Sequence, residues 1–236
     1  MNVEVIATAQ QVTEAQVKGK TVIVIDVLRA TSVMVTALNN GAKGVVPVLE
    51  AKEAFIVKDS TSEAVVLGGE RHAEPIDGFD HGNSPLAYSK QVIEDKLLVM
   101  TTTNGTLAIH NSLSASELLI ASFLNDKAVV DRIKERSDLV LVCSGNNGLY
   151  TLEDALCAGR IIYLLQKSVK LRLSDLALSV YALYKAHKDN IPEIAAQGYH
   201  YKVLMQKGYQ HDLTHCFKSG LYSNVPIWNG QCIVNL

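Results

Sequence analysis

The chain has 236 residues, 48% of them hydrophobic, which is enough for one large α/β domain or two small ones. Its 22 basic and 24 acidic side chains leave a formal net charge of -2, which excludes the global basic field that gathers nucleic acid or anionic lipid. Four widely spaced cysteines, Cys143, Cys157, Cys216 and Cys232, make no C-x-x-C pair and no disulfide framework, so reduced thiols in a cytoplasmic protein are expected.

The opening residues, MNVEVIATAQ, carry no basic segment followed by an apolar one. No apolar run approaches the ~20 residues that span a bilayer, so neither export nor membrane insertion is expected. Within this opening, VEVIAT is a candidate edge strand. The first strong strand signal is TVIVIDVLRATS (21–32), a β-branched apolar run that ends in an aspartate, an arginine and two hydroxyls. A helix follows over 32–40, with Gly41 as its C-cap.

The alternation continues with GVVPVL (44–49), a helix near 51–58, AVVLGG (64–69), a polar loop, a helix over 85–95 and LLVMT (97–101). A helix over 105–113, ELLIAS (117–122), a helix over 126–136 and LVLVCS (139–144) complete it. Strands apolar on both faces and separated by helices predict a mainly parallel or mixed sheet in a three-layer α/β/α arrangement.

After residue 150 the pattern becomes helical, over 151–167, 174–188 and further pieces to about 218, before a late strand, CIVNL. No linker, repeat or low-complexity tract intervenes. One domain over 1–236 is expected, with an alternating core (1–150) and a mostly helical closing segment (151–236). The apolar stretches IIYLL and LALSVYALY serve as core or as an oligomer face, and a homodimer is the expected assembly.

In open parallel sheets, ligands sit beyond the carboxyl ends of the strands. Those ends read Asp26-Val-Leu-Arg-Ala-Thr-Ser32, Gly68-Gly-Glu-Arg71, Thr101-Thr-Thr-Asn-Gly-Thr106 and Ser144-Gly-Asn-Asn-Gly148. Small and hydroxylic residues let backbone N–H groups approach an anion, and arginine adds a planar fork that matches phosphate, sulfonate or carboxylate. Three of the six arginines, Arg29, Arg71 and Arg160, lie in or just after these motifs.

Capping and turn-making would explain any one motif, but four successive ends with this chemistry point to a small-anion site. The long acidic loop from Glu70 to Ser84 suits Mg²⁺, a hard ion held by one or two carboxylates with water and phosphate. Thr151 with Asp154 resembles a capping box, and Glu153, Cys157 and Arg160 can share a helix face.

Several near-matches carry no such chemistry. Gly19-Lys20-Thr21 precedes a strand and lacks the upstream glycine of a P-loop, and no G-x-G-x-x-G opens a helix. Cys143 has no arginine placed to cradle a phosphocysteine, and Ala73 stands where an Arg-His-Gly phosphohistidine motif needs glycine.

Taken in order, IDVLRATS, LGGER, DGFDHGNSP, TTTNGT, CSGNNG and EDALCAGR resemble the 2-phosphosulfolactate phosphatase family over about residues 20–160. The resemblance implies a Mg²⁺-dependent hydrolase that converts 2-phospho-3-sulfolactate to 3-sulfolactate and inorganic phosphate on the route to coenzyme M. On that footing Mg²⁺ is expected on Asp26 with Glu70, or with Glu153 and Asp154. Arg29 and Arg71 would stabilise the phosphoryl oxygens.

Thr31, Ser32, Gly69, Thr103, Asn104, Gly105, Thr106, Ser144, Gly145, Asn147 and Arg160 are the expected substrate-binding residues. Direct attack by water and an aspartyl-phosphate on Asp26 both remain open. Leu28 stands where aspartyl-phosphate enzymes usually carry a second acid, which favours water. The alternatives are a phosphatase on a related small phospho-acid and a non-catalytic binder of small polyanions.

Overall fold

The structure is a computed structural model and describes residues 1–236. Its strands are β1 (Asn2–Ile6), β2 (Thr21–Ile25), β3 (Gly44–Pro47), β4 (Val65–Arg71), β5 (Glu74–Pro75), β6 (Leu97–Thr101), β7 (Glu117–Ala121), β8 (Asp138–Cys143), β9 (Arg172–Leu173), β10 (Pro226–Trp228) and β11 (Ile233–Asn235). The helices are α1 (Glu14–Val17), α2 (Ala30–Asn39), α3 (Ala51–Ser60), α4 (Lys90–Ile93), α5 (Gly105–Asn111), α6 (Asp126–Ile133), α7 (Leu152–Leu165), α8 (Asp175–His187), α9 (Ile191–Ala195), α10 (Tyr199–Gln206) and α11 (Gln210–Cys216).

The sheet runs β5-β4-β6-β3-β11-β10-β7-β2-β8-β1-β9. Two parallel blocks, β4-β6-β3 and β7-β2-β8-β1-β9, are joined by the antiparallel hairpin β10–β11. The hairpin touches each block through a single pairing, Ile227 opposite Leu119 and Ile233 opposite Val45. The fold is therefore α/β with a mixed sheet covered by helices on both faces.

Alternation along the strands explains the two-sided burial. Val22 and Val24 of β2 enter one core with α2 and α5, while Ile23 and Ile25 enter another with α6 and α7. The first of these cores also takes Val45, Val66, Leu98 and Met100 from the second block, so α2 and α5 lie between the two blocks. A small third cluster beneath α3 covers the far side of β3, β4 and β6.

Two local expectations are corrected and one strand is added. The helix over 85–95 is replaced by a short 3₁₀ turn at Pro85–Ala87 and the one-turn α4, because Tyr88 turns into the core and bonds the Gly82 carbonyl at 2.6 Å. The loop after Gly69 begins as a hairpin: β4 runs on to Arg71 and β5 folds back on it. Its two turn residues, His72 and Ala73, take φ of 54° and 61°, the conformation of a type I′ turn usually built from Asn-Gly or Asp-Gly. Finally, β10 is a strand that opens on a proline, a position where no ladder N–H is required.

Helices α7 and α8 pack closely because Gly159 has no side chain. A Cβ there would lie 2.2 Å from the Val180 carbonyl oxygen and 2.7 Å from Tyr184 Cβ. Gly159→Ala should therefore destabilise the protein by about 1–3 kcal/mol through overpacking. A lower urea midpoint at unchanged slope would report this, and an unchanged midpoint would contradict the close contact.

Candidate active site

The carboxyl end of β2 is shaped by its own hydroxyls. Thr31 Oγ1 donates to the Asp26 carbonyl at 2.8 Å and accepts from the Asp26 N–H at 3.0 Å, and Ser32 Oγ donates to the Val27 carbonyl at 2.8 Å. Both side chains are fully buried, so they hold the turn and do not face a ligand. What they present is Asp26. Its Oδ1 accepts from the Ala30 N–H at 3.0 Å, while Oδ2 has no protein partner and opens into a cavity. Gly105 makes room for it, since a Cβ there would lie 2.7 Å from Oδ2 and 2.5 Å from Ala30 Cβ.

The cavity encloses about 170 Å³. That is below the ~300–1,000 Å³ of drug-sized sites and suits a ligand of a few carbons. All four strand ends reach it: Asp26 and Arg29 after β2, Glu70 from β4, Thr103 and Asn104 after β6, and Gly145 and Asn147 after β8. Gly69 brings β4 close, because it takes φ of 142° and a Cβ would sit 1.9 Å from the Thr101 carbonyl oxygen.

Glu70 spans two loops. Its carboxylate accepts from the Ala73 N–H and the Thr103 N–H, each at 2.8 Å, and from Thr103 Oγ1 at 3.3 Å. Asn104 Oδ1 accepts from the Asn147 N–H at 3.0 Å and so ties the β6 and β8 loops together. Thr106 points inward and bonds the Thr102 carbonyl at 2.9 Å, and Ser144 Oγ is buried without a partner. Neither side chain lines the cavity.

The arginines do not gather as expected. Arg29 lines the cavity, with one nitrogen on Asp212 Oδ2 at 2.6 Å and its guanidinium 3.8 Å from the centre of the Tyr209 ring. Arg71 spends its fork on the carbonyls of Glu70 and Leu49 and on Thr101 Oγ1, pinning β4 to the segment after β3. Arg160 lies elsewhere on α7, bound to Asp126, Tyr184 and Ser219. Neighbouring acceptors thus take donors of Arg71 and Arg160, and neither side chain lines the cavity.

The acids of α7 do not line the cavity. Asp154 accepts from the Val27 N–H at 2.9 Å, the Gly145 N–H at 3.0 Å and Thr151 Oγ1 at 3.0 Å, which joins the ends of β2 and β8. Burial pushes its carboxyl up to about 6 against the pull of these donors. Asp26 is likewise raised well above the ordinary carboxylate range, first by burial and then by the charge of Asp154. Glu153 faces a neighbouring hollow beside Leu152 and Gly198, and its buried Oε2 has no hydrogen-bond partner.

A metal ion therefore has two candidate ligands in the cavity, Asp26 and Glu70. An ionised carboxylate offers about four lone-pair positions. Asp26 uses one of them and Glu70 three, so both retain capacity. No group of three or more His, Cys, Asp or Glu side chains is arranged to hold a metal, so water and a ligand's oxygens would have to complete the shell.

Residues not named as candidates from the sequence complete the walls. His72 arrives on the β4–β5 turn, Asn83 from the loop after β5, and Tyr199, His200 and Leu204 from α10. His200 Nε2 lies 2.8 Å from the Leu28 carbonyl and Nδ1 lies 3.4 Å from Asn146 Nδ2, which assigns the proton to Nε2. Burial holds its pKa below the usual histidine value, in keeping with this neutral form.

Burial, followed by the charge of Asp154, raises the Glu153 carboxyl to about 8. The folded-state value exceeds the unfolded one, so the stability this group contributes is complete below about pH 4.5 and is lost as pH rises through about 8. Glu153→Gln removes that dependence. Its melting temperature relative to the parent should rise by several degrees between pH 5 and pH 8.5, an effect of a few kcal/mol at most. A constant difference across that range would show that Glu153 ionises normally.

The chain matches the family described as 2-phosphosulpholactate phosphatase over residues 6–231. A protein of Clostridium novyi described as a probable 2-phosphosulfolactate phosphatase is 44% identical over 96% of each chain. One of Clostridium acetobutylicum with the same description is 42% identical over 99% of this chain and all of its own. A third, of Clostridium tetani, is 40% identical over 99% of this chain and all of its own. With the match reaching well into the helical C-terminal third that supplies Tyr199 and His200, the chain belongs to the 2-phosphosulfolactate phosphatase family.

Proposed function

We propose that this protein hydrolyses 2-phospho-3-sulfolactate to 3-sulfolactate and inorganic phosphate, with Mg²⁺, as in coenzyme M biosynthesis. The observation that carries the proposal is the small cavity in which the open oxygen of Asp26 and the guanidinium of Arg29 meet at converging strand ends. The family and the names of the relatives supply the substrate.

Asp26 and Glu70 would hold Mg²⁺, which when bound lowers the pKa of water and neutralises phosphoryl charge. The cavity has a clear use for such a cation. Two carboxylates face it, and its one arginine already answers Asp212. A doubly charged phosphate would otherwise meet net negative charge.

In the proposed reaction a water oxygen forms the new P–O bond while the bond from phosphorus to the C2 oxygen breaks. The water gives up a proton and the C2 oxygen takes one. Arg29 meets the equatorial phosphoryl oxygens with the donors that Asp212 leaves free. Thr103, Asn104 and Asn147 orient the carboxylate and sulfonate, and Tyr199 and His200 wall the cavity from α10. Direct attack by water is preferred over an aspartyl-phosphate because Leu28, not a second acid, lies two residues beyond Asp26.

One observation favours a second reading. A single arginine in the cavity is a sparse cationic complement for a substrate that carries phosphate, carboxylate and sulfonate together. A phosphatase for a smaller phospho-acid without the sulfonate would need less.

Phosphate release should be measured with 2-phospho-3-sulfolactate, 2-phospholactate and phosphoglycolate, in Mg²⁺ and in EDTA. The expected result is release from the sulfonated substrate at the highest kcat/KM, abolished by EDTA and restored by Mg²⁺. Asp26→Asn should lower kcat by at least about 10²-fold. Preference for 2-phospholactate would support the second reading, and release that survives EDTA would remove the metal.

A further inference from the structure

Arg29 is the one arginine that lines the cavity, and its side chain is only 2% exposed. A single nitrogen is engaged, at 2.6 Å from Asp212 Oδ2, and Tyr209 lies against the guanidinium at 3.8 Å. Its Nε and second terminal nitrogen make no hydrogen bond within the protein. Asp212 is itself held from a second side, since Ser84 Oγ donates to its Oδ1 at 2.6 Å. It stands on α11, 183 residues beyond Arg29, in the part of the chain where no motif points to chemistry.

An arginine carries about 2 kcal/mol of rotamer entropy, so a free one would sample many directions. Here two contacts of different kinds define one direction, the hydrogen bond fixing one end of the fork and the ring fixing its plane. The pair is close to neutral, so what Arg29 brings to an anion is aimed donors more than net charge.

We propose that Asp212 is a positioning residue, which holds one nitrogen of Arg29 against Tyr209 so that the remaining donors face the phosphoryl group. This rests on the phosphatase reading above. It makes α11 and the Ser84 loop parts of the site although neither need touch substrate. The acceptor atom of residue 212, and not its charge, is what the site requires.

The test compares wild type, Asp212→Ala, Asp212→Asn, Arg29→Ala and the double variant Arg29→Ala/Asp212→Ala. Two quantities are measured: kcat/KM for 2-phospho-3-sulfolactate and the Kd of inorganic phosphate by calorimetry in Mg²⁺. Asp212→Ala should lower kcat/KM by about 10²-fold, to the level of Arg29→Ala, and the double variant should fall no further. Asp212→Asn, which keeps an acceptor oxygen, should recover all but about threefold and bind phosphate at least as tightly as wild type.

Asp212→Ala leaves a buried arginine without its partner. Should it fail to fold, the double variant against Arg29→Ala and Asp212→Asn against wild type decide the matter. Multiplying losses in the double variant, or an Asp212→Asn as defective as Asp212→Ala, would overturn the proposal. Wild type that binds phosphate but leaves phosphosulfolactate intact would sink the substrate assignment, and the Kd series would still judge Asp212. Wild type that binds no phosphate would sink both.

Discussion

One buried carboxylate, Asp154, joins the two strand ends on which the site is built. It accepts from the backbone of Val27 after β2 and of Gly145 after β8, just beyond the point where the paired strands end their ladder at Ile25 and Cys143. Glu70 does the same between the β4–β5 turn and the loop after β6. Backbone N–H groups at strand ends must find acceptors once buried, and a carboxylate satisfies several at once. The architecture therefore draws negative charge to the point where the strands converge. On the proposed function, a cavity that takes an anion is framed by acids, and that conflict is what the proposed cation would resolve.

The alternating core was legible because strands buried on both faces leave a continuous apolar signal, as TVIVI does, and because the helices between them keep their period. The same reasoning failed over 85–95. The residue pattern there is helical, but Tyr88 is drawn into the core and breaks it. The β4–β5 turn was hidden for another reason: His72 and Ala73 occupy positions that turn chemistry reserves for Asn, Asp and Gly. Its conformation is supported by a bond from the Ala73 N–H to the Glu70 carboxylate three residues earlier, a partner that the usual Asn-Gly and Asp-Gly turn signals do not include.

The candidate site divides along similar lines. Asp26, Arg29, Glu70, Thr103, Asn104, Gly145 and Asn147 were visible as strand-end motifs, and they do share one cavity. Thr31, Ser32 and Thr106 belong to the same motifs yet serve the turns. Composition cannot separate a hydroxyl that bonds a ligand from one that bonds its own backbone. Arg71 and Arg160 sit in motifs as well, but acceptors distant in sequence, Leu49 and Asp126, claim them. The residues of α10 and α11 escaped because one histidine or aspartate in a helical stretch carries no signal until the fold brings it to the β2 turn.

The hairpin at residues 226–235 has a consequence for how the sheet closes. Within the sheet, two parallel blocks that hold all the earlier strands except the antiparallel β5 are joined only through β10 and β11. Until residues 226–235 are in place, β7 and β3 each have an unpaired edge. Such edges invite pairing with other chains. Closing the hairpin is therefore what removes both open edges from the middle of the sheet.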